Sequence, residues 1–233
     1  MKRAFTTLTI LGIILLAAPA MAEIESHSAE ISPMFGILFG PQVGFSDDFR
    51  NYLDLINEPL PEYKVKSNII FGGAMGYNVS PRLGFEGMFG YSPNQGEWSI
   101  SGLSVDQDMD VLVIGANAVA HLNPEDSAVI YGTGGMGMIQ WRFGDFHDPF
   151  GFIDTDSAVT NQTGLMWNFG GGVKFEATDN MFIRIEARDF MGKLEITSDE
   201  ITGADLPPEL LVVDEWLHHF ILWGGVTFTF GGE

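Results

Sequence analysis

Residues 128–140 read Ala-Val-Ile-Tyr-Gly-Thr-Gly-Gly-Met-Gly-Met-Ile-Gln, so Gly132, Gly134 and Gly137 form a G-x-G-x-x-G behind an apolar run. In a dinucleotide-binding turn, such glycines carry a strand tightly into a helix whose N-terminus faces a pyrophosphate. Here Gly137 leads into Met-Ile-Gln-Trp-Arg-Phe-Gly-Asp, which starts no helix, and no βαβ pattern surrounds it. In a chain with 29 glycines the match is cheap, and no cofactor is expected. Asp106, Asp108 and Asp110 open a calcium-loop pattern that then fails, with Val111 where glycine is wanted and Asn117 where a bidentate Glu belongs. They are read as a solvated strand end. His218 and His219 are adjacent, so in a strand they point to opposite faces and make a poor metal pair. No H-E-x-x-H is present, and no Ser sits beside the histidines as a lipid-hydrolysing site would need. Neither a catalytic nor a metal site is assigned.

What remains is a set of charges: Lys174, Arg184 and Arg188, with Glu86, Glu176 and Glu186. Their i, i+2 spacings put each subset on one face of a strand. If that face is interior, they form a ladder of ion pairs that fills a lumen. A gate whose pairs exchange to open a narrow conductance is the alternative, and the plug reading is preferred.

Period-two alternation recurs along the chain and supplies the strands that would hold these residues. Phe35, Ile37, Phe39, Val43 and Phe45 alternate with Gly36, Leu38, Gly40, Gln42 and Gly44. Ile69, Phe71, Met75 and Tyr77 alternate with Gly72, Ala74, Gly76 and Asn78, and similar runs cover 83–91, 111–122, 167–175, 183–188 and 219–230. With 128–139, whose parity the pattern leaves open, eight strands are expected. Short turns at 79–81, 123–126 and 177–180 alternate with long acidic connections near 46–67, 92–109, 140–163 and 190–217. Asp47 to Asn57 has the spacing of a short amphipathic helix in the first long loop.

Short turns at one end and long loops at the other are the layout of an outer-membrane barrel. A soluble barrel would alternate too, with its apolar face inward. Three features favour the membrane: a glycine-rich polar face, aromatics gathered on the apolar face, and strands without the Lys/Glu density of a soluble exterior. Charge decides the parity, because a Lys or Arg at the lipid midplane costs roughly 2–4 kcal/mol. Lys174, Arg184 and Arg188 therefore face inward.

Met1-Lys2-Arg3, an apolar run to Leu16 and Ala18-Pro19-Ala20-Met21-Ala22 have the layout of a secretory signal peptide, so residues 1–22 are expected to be cleaved and 23–233 to form the barrel domain. With 31 acidic against 11 basic residues the chain carries a formal charge of −20, which disfavours nucleic acid as a partner. There is no cysteine to staple it, yet its mean hydropathy is positive at +0.13. An exported apolar chain without a spanning helix fits the barrel. Trp141, Phe143, Phe146, Phe150 and Phe152 in one loop, and Leu206 and Leu210 to Val213 in another, are apolar. They either mark a partner surface, cap the barrel mouth or rest on headgroups.

Trp167-Asn168-Phe169-Gly170-Gly171-Gly172-Val173-Lys174-Phe175, Phe182 to Arg188 and His219 to Phe230 resemble the small eight-stranded outer-membrane β-barrel family related to the membrane domain of outer membrane protein A. The resemblance covers essentially the whole mature chain. It implies an all-β, eight-stranded, antiparallel up-and-down transmembrane β-barrel in the bacterial outer membrane. Phe228 and Phe230 look like the family's assembly signal, although Gly231-Gly232-Glu233 follow where the family usually stops at the aromatic. The implied partners are the barrel-assembly machinery, outer-membrane lipid and lipopolysaccharide, the last through divalent cations that bridge its phosphates to acidic loops. The expected protein is a non-enzymatic monomer in envelope structure or surface interaction. A narrow channel gated by the luminal Lys/Arg/Glu network is the alternative, and a lipid A-modifying enzyme stands behind both.

Overall fold

The computed structural model of the protein describes residues 24–100, 102–147, 159–201 and 206–232, apart from the side chains of residues 100 and 145–147. The expected signal peptide and the positions of Phe150 and Phe152 lie outside the described residues. The described strands are β1 (Ser28–Phe39), β2 (Gln42–Val43), β3 (Glu62–Val65), β4 (Asn68–Ser80), β5 (Leu83–Ser92), β6 (Gln95–Ile100), β7 (Leu103–His121), β8 (Ala128–His147), β9 (Gln162–Thr178), β10 (Met181–Thr197) and β11 (Leu211–Gly231), with helix α1 (Asp47–Ile56) after β2. Every pairing is antiparallel. The ring runs β1-β4-β5-β7-β8-β9-β10-β11 and returns to β1, so eight strands close and leave no edge. Ser28 pairs with Gly231 at the end where the short turns lie, so the start of β1 and the end of β11 share the short-turn side.

Outward residues form an apolar belt: Phe35, Ile37 and Phe39 on β1, Ile69, Phe71, Met75 and Tyr77 on β4, Phe85 and Phe89 on β5, Trp167 and Phe169 on β9, Phe220, Leu222, Phe228 and Phe230 on β11. The run Ile69 to Val79 is the length that a tilted strand needs to cross the hydrocarbon. No described helix is long and apolar enough to cross a membrane, as a barrel requires none. Strand β8 has its parity fixed by the fold: Tyr131, Thr133, Ile139 and Trp141 are buried inside, while Ile130, Met136 and Met138 are exposed outside.

Two expectations about the strands change. Val43 and Phe45 do not continue the outward face of Phe39 but are buried, because Gly40-Pro41 interrupts the strand and resets its parity. The long acidic connections are also largely structured. β3 and β6 lie wholly within them, and β7, β8, β10 and β11 run well above the belt. Acidic residues on the outward side conceal the alternation, as in Asp106-Gln107-Asp108-Met109-Asp110-Val111, where Gln107, Met109 and Val111 are buried. Helix α1 forms where expected. Ser46 caps it by accepting from Phe49 N, and Phe49 and Leu53 are its buried face.

Candidate luminal site

The barrel interior has two halves. Toward the long-loop end it is filled by apolar side chains, among them Leu38, Ile70, Val111, Val113, Ile139, Trp141, Met166, Phe190, Leu194 and Leu217. Val212 and Val213 at the start of β11 belong to this packing, and Leu206 and Leu210 pack against it. Toward the short-turn end the interior is ionic.

Glu86 on β5 and the arginines on β10 stand on opposite sides of the ring and meet across it. Arg184 Nη1 lies 2.7 Å from Glu86 Oε2, and Arg188 Nη2 lies 3.0 Å from Glu86 Oε1. Glu186, between the two arginines on β10, is bridged by Arg184 Nη2 and by Arg188 Nε, the latter at 2.7 Å. Arg184 Nη1 and Arg188 Nε face their carboxylates at ion-pair distance but off the hydrogen-bond direction. The neutral partners complete the set. Tyr131 Oη donates to Glu186 Oε2 at 2.6 Å and accepts from Arg184 Nε at 2.7 Å. Trp223 Nε1 donates to Glu186 Oε1 at 2.9 Å, and Asn117 Nδ2 donates to Glu86 Oε1 at 3.3 Å. Arg184, Arg188 and Glu186 are each 1% exposed, so these pairs are shielded from bulk solvent.

Lys174 does not pair with Glu176. Its Nζ reaches Glu30 on β1, 2.6 and 2.8 Å from the two oxygens. Asn78 Nδ2 donates to the same carboxylate at 2.9 Å. Glu30 escapes a reading that starts the first strand at Phe35, whereas β1 begins at Ser28. The alternation Ser28-x-Glu30-x-Ser32 opposite Ala29, Ile31 and Pro33 was the available signal. Glu176 is buried too, but neither carboxylate oxygen has a hydrogen-bond partner among the described residues. It is removed from the ladder, because Lys174 bends toward β1 and the lumen axis instead of along its own strand. The paired set is balanced: Glu30, Glu86 and Glu186 against Lys174, Arg184 and Arg188.

The remaining candidates are structural or apart. His121 is buried below the network, with Nδ1 3.1 Å from Pro81 O and Nε2 3.3 Å from Lys174 Nζ. His219 is inside, 3.1 Å from Trp141 Nε1, while His218 points outward to Asp189 Oδ2 at 2.8 Å. Asp106 pairs with Lys66 at 2.6 Å and Asp110 accepts from Tyr91 Oη at 2.6 Å, both on the outer face above the belt. Phe228 and Phe230 are outward and exposed near the short-turn end. Close approach explains the luminal glycines. A Cβ at Gly172 would lie 2.6 Å from Tyr131 Oη, and one at Gly36 would lie 2.5 Å from Trp223 Cβ. Chemically the site is a closed set of compensated charges around Tyr131 and Trp223.

A family described as outer membrane protein beta-barrel domain matches residues 8–205, and β11 lies past the matched span. The outer membrane protein OprG from Pseudomonas aeruginosa has the same fold, with a TM-score of 0.63 at 14% identity over 91% of this chain and 100% of that one. Neisserial surface protein A has a TM-score of 0.51 at 14% identity over 87% of this chain and 97% of that one. No curated protein matches. The closed ring, its belt and the family match agree: the chain belongs to the outer membrane protein beta-barrel domain family.

Proposed function

We propose that the protein is a sealed, non-enzymatic, monomeric barrel of the bacterial outer membrane that strengthens the envelope and presents an acidic crown outward. The carrying observation is a lumen filled at both levels. Compensated ion pairs occupy the lower half and apolar side chains the upper half, so a solute meets packed side chains at each level. Lys174, Arg184 and Arg188 bond to Glu30, Glu86 and Glu186 instead of facing solvent, which supports a structural role over catalysis. Phe228 and Phe230, on the final strand beside β1, fit a signal read by the barrel-assembly machinery.

Planar-bilayer recording of the refolded protein tests this reading. A silent bilayer, for the wild type and for Glu186→Ala alike, is the expected result. Steady channels whose conductance changes with Arg184→Ala or Glu186→Ala would instead establish the gated narrow pore. Lipid A that changes in mass when the protein is expressed would establish an enzyme.

A further inference from the structure

The outer wall carries a polar crevice that the sealed lumen does not explain. It has a volume of about 630 Å³ and lies between Asn68, Gln95, Asp108, Asp110, Arg142 and Phe143. The register fixes its height. Tyr91 pairs with Leu112, and Leu112 with Gln140, at the top of the apolar belt. Asp110 and Arg142 pair one outward step above. On the side of the long loops, that step is where the hydrocarbon gives way to headgroups.

The chemistry of the crevice is mixed. Arg142 is exposed, gives Nε to Gln140 Oε1 at 2.7 Å and forms no ion pair among the described residues. It stands ready for a phosphate or carboxylate, which a guanidinium meets with paired donors. Asp108 and Asp110 line the same space, with Gln95 Nε2 donating to Asp108 Oδ1 at 3.3 Å and Tyr91 Oη to Asp110 Oδ2 at 2.6 Å. Carboxylates repel a bare anion but accept from hydroxyls through their several lone pairs. A ligand with one anionic group and several hydroxyls satisfies both walls. Phosphatidic acid, a phosphate without headgroup hydroxyls, satisfies only one.

We infer that this crevice binds the acidic sugar headgroup of an outer-leaflet glycolipid, the anion on Arg142 and the sugar hydroxyls on Asp108 and Asp110. The acyl chains would then lie on the belt below, against Ile114 and Met138. The inference rests on the outer-membrane placement and adds a direct contact that needs no bridging cation.

Native mass spectrometry of the full barrel refolded in detergent tests it, with deep-rough lipopolysaccharide, phosphatidic acid and glucosamine 1-phosphate as probes. One deep-rough lipopolysaccharide molecule should be retained per barrel, with Arg142→Gln weakening retention about tenfold. Asp110→Asn should weaken the glycolipid yet strengthen phosphatidic acid, because it removes the repelling charge. Lys193→Gln, elsewhere above the belt, should change neither, and heat-dependent gel mobility checks that each variant has folded. Equal glycolipid retention by wild type and a folded Arg142→Gln overturns the proposal. Equal occupancy by glucosamine 1-phosphate overturns the choice of a lipid over a soluble sugar. If the protein fractionates away from the outer membrane, the placement itself fails, whatever the glycolipid result.

Discussion

Glu30 and Glu176 are both buried carboxyl groups at the short-turn end of the lumen, and their environments make opposite predictions. Glu30 neutralises Lys174 at 2.6 Å, so Glu30→Gln leaves a buried ammonium without its counter-charge. A loss of about 3–5 kcal/mol is expected, measured by urea unfolding of the refolded protein. The Glu176 carboxylate has no hydrogen-bond partner among the described residues. Glu176→Met should therefore be neutral or stabilising, since an apolar group of similar volume removes an unmet desolvation cost. Comparable losses in the two variants would contradict the pairing described. The sequence identifies Lys174, Arg184, Arg188, Glu86 and Glu186 because charges at alternate positions of an apolar strand have only one tolerable side. It does not identify partners, since those are chosen across the lumen. Lys174 lies two residues from Glu176, yet pairs with a residue 144 positions away.

Among the elements, β8 separates two kinds of glycine. A Cβ at Gly135 would sit 2.0 Å from Ala116 O, and one at Gly137 2.0 Å from Ile114 O. At Gly134 the nearest atom would be 3.6 Å away and at Gly132 4.0 Å. Gly135→Ala and Gly137→Ala should each cost about 1–3 kcal/mol through forced backbone shifts. Gly132→Ala and Gly134→Ala should leave the urea midpoint unchanged to within the measurement. The G-x-G-x-x-G is thereby divided between two faces of one strand, with nothing left to cradle a phosphate. Above the belt, Lys66 is held above the ordinary lysine range, chiefly by its hydrogen bond to Asp106 and further by Glu97. A raised lysine value means that the pair contributes fully below the ordinary value and is lost as pH rises through the raised one. Amide exchange in β6 and the upper part of β7 should therefore accelerate selectively at strongly alkaline pH, and Lys66→Met should abolish that step. The pair is partly exposed, so its contribution is expected to stay below about 1 kcal/mol. These upper strands were hidden in the sequence because their outward positions are acidic, as at Asp106, Asp108 and Asp110. The belt strands were legible because lipid and lumen demand opposite side chains at successive residues.

For the whole molecule, the eight-strand count and the facing of the belt strands other than β8, which is rich in glycine and took its facing from its neighbours, followed from alternation and turn chemistry. The division of the lumen into an ionic lower and an apolar upper half did not. It depends on which inward residues share a level, and strand tilt and stagger set that. A closed ring of this kind resists detergent until heated. Unboiled protein is expected to migrate differently from boiled protein on a denaturing gel, and a single mobility would count against closure. The closure also has a chronology. β1 meets β11 from Ser28↔Gly231 to Phe39↔Phe220, so the first strand of the ring must wait, with one flank bare, until its last strand has been made. A chain halted before Leu211 would possess two raw margins instead of none, and each would invite another polypeptide to complete it. Integrity of β11 is thus the toll gate between a finished cylinder and an aggregating ribbon.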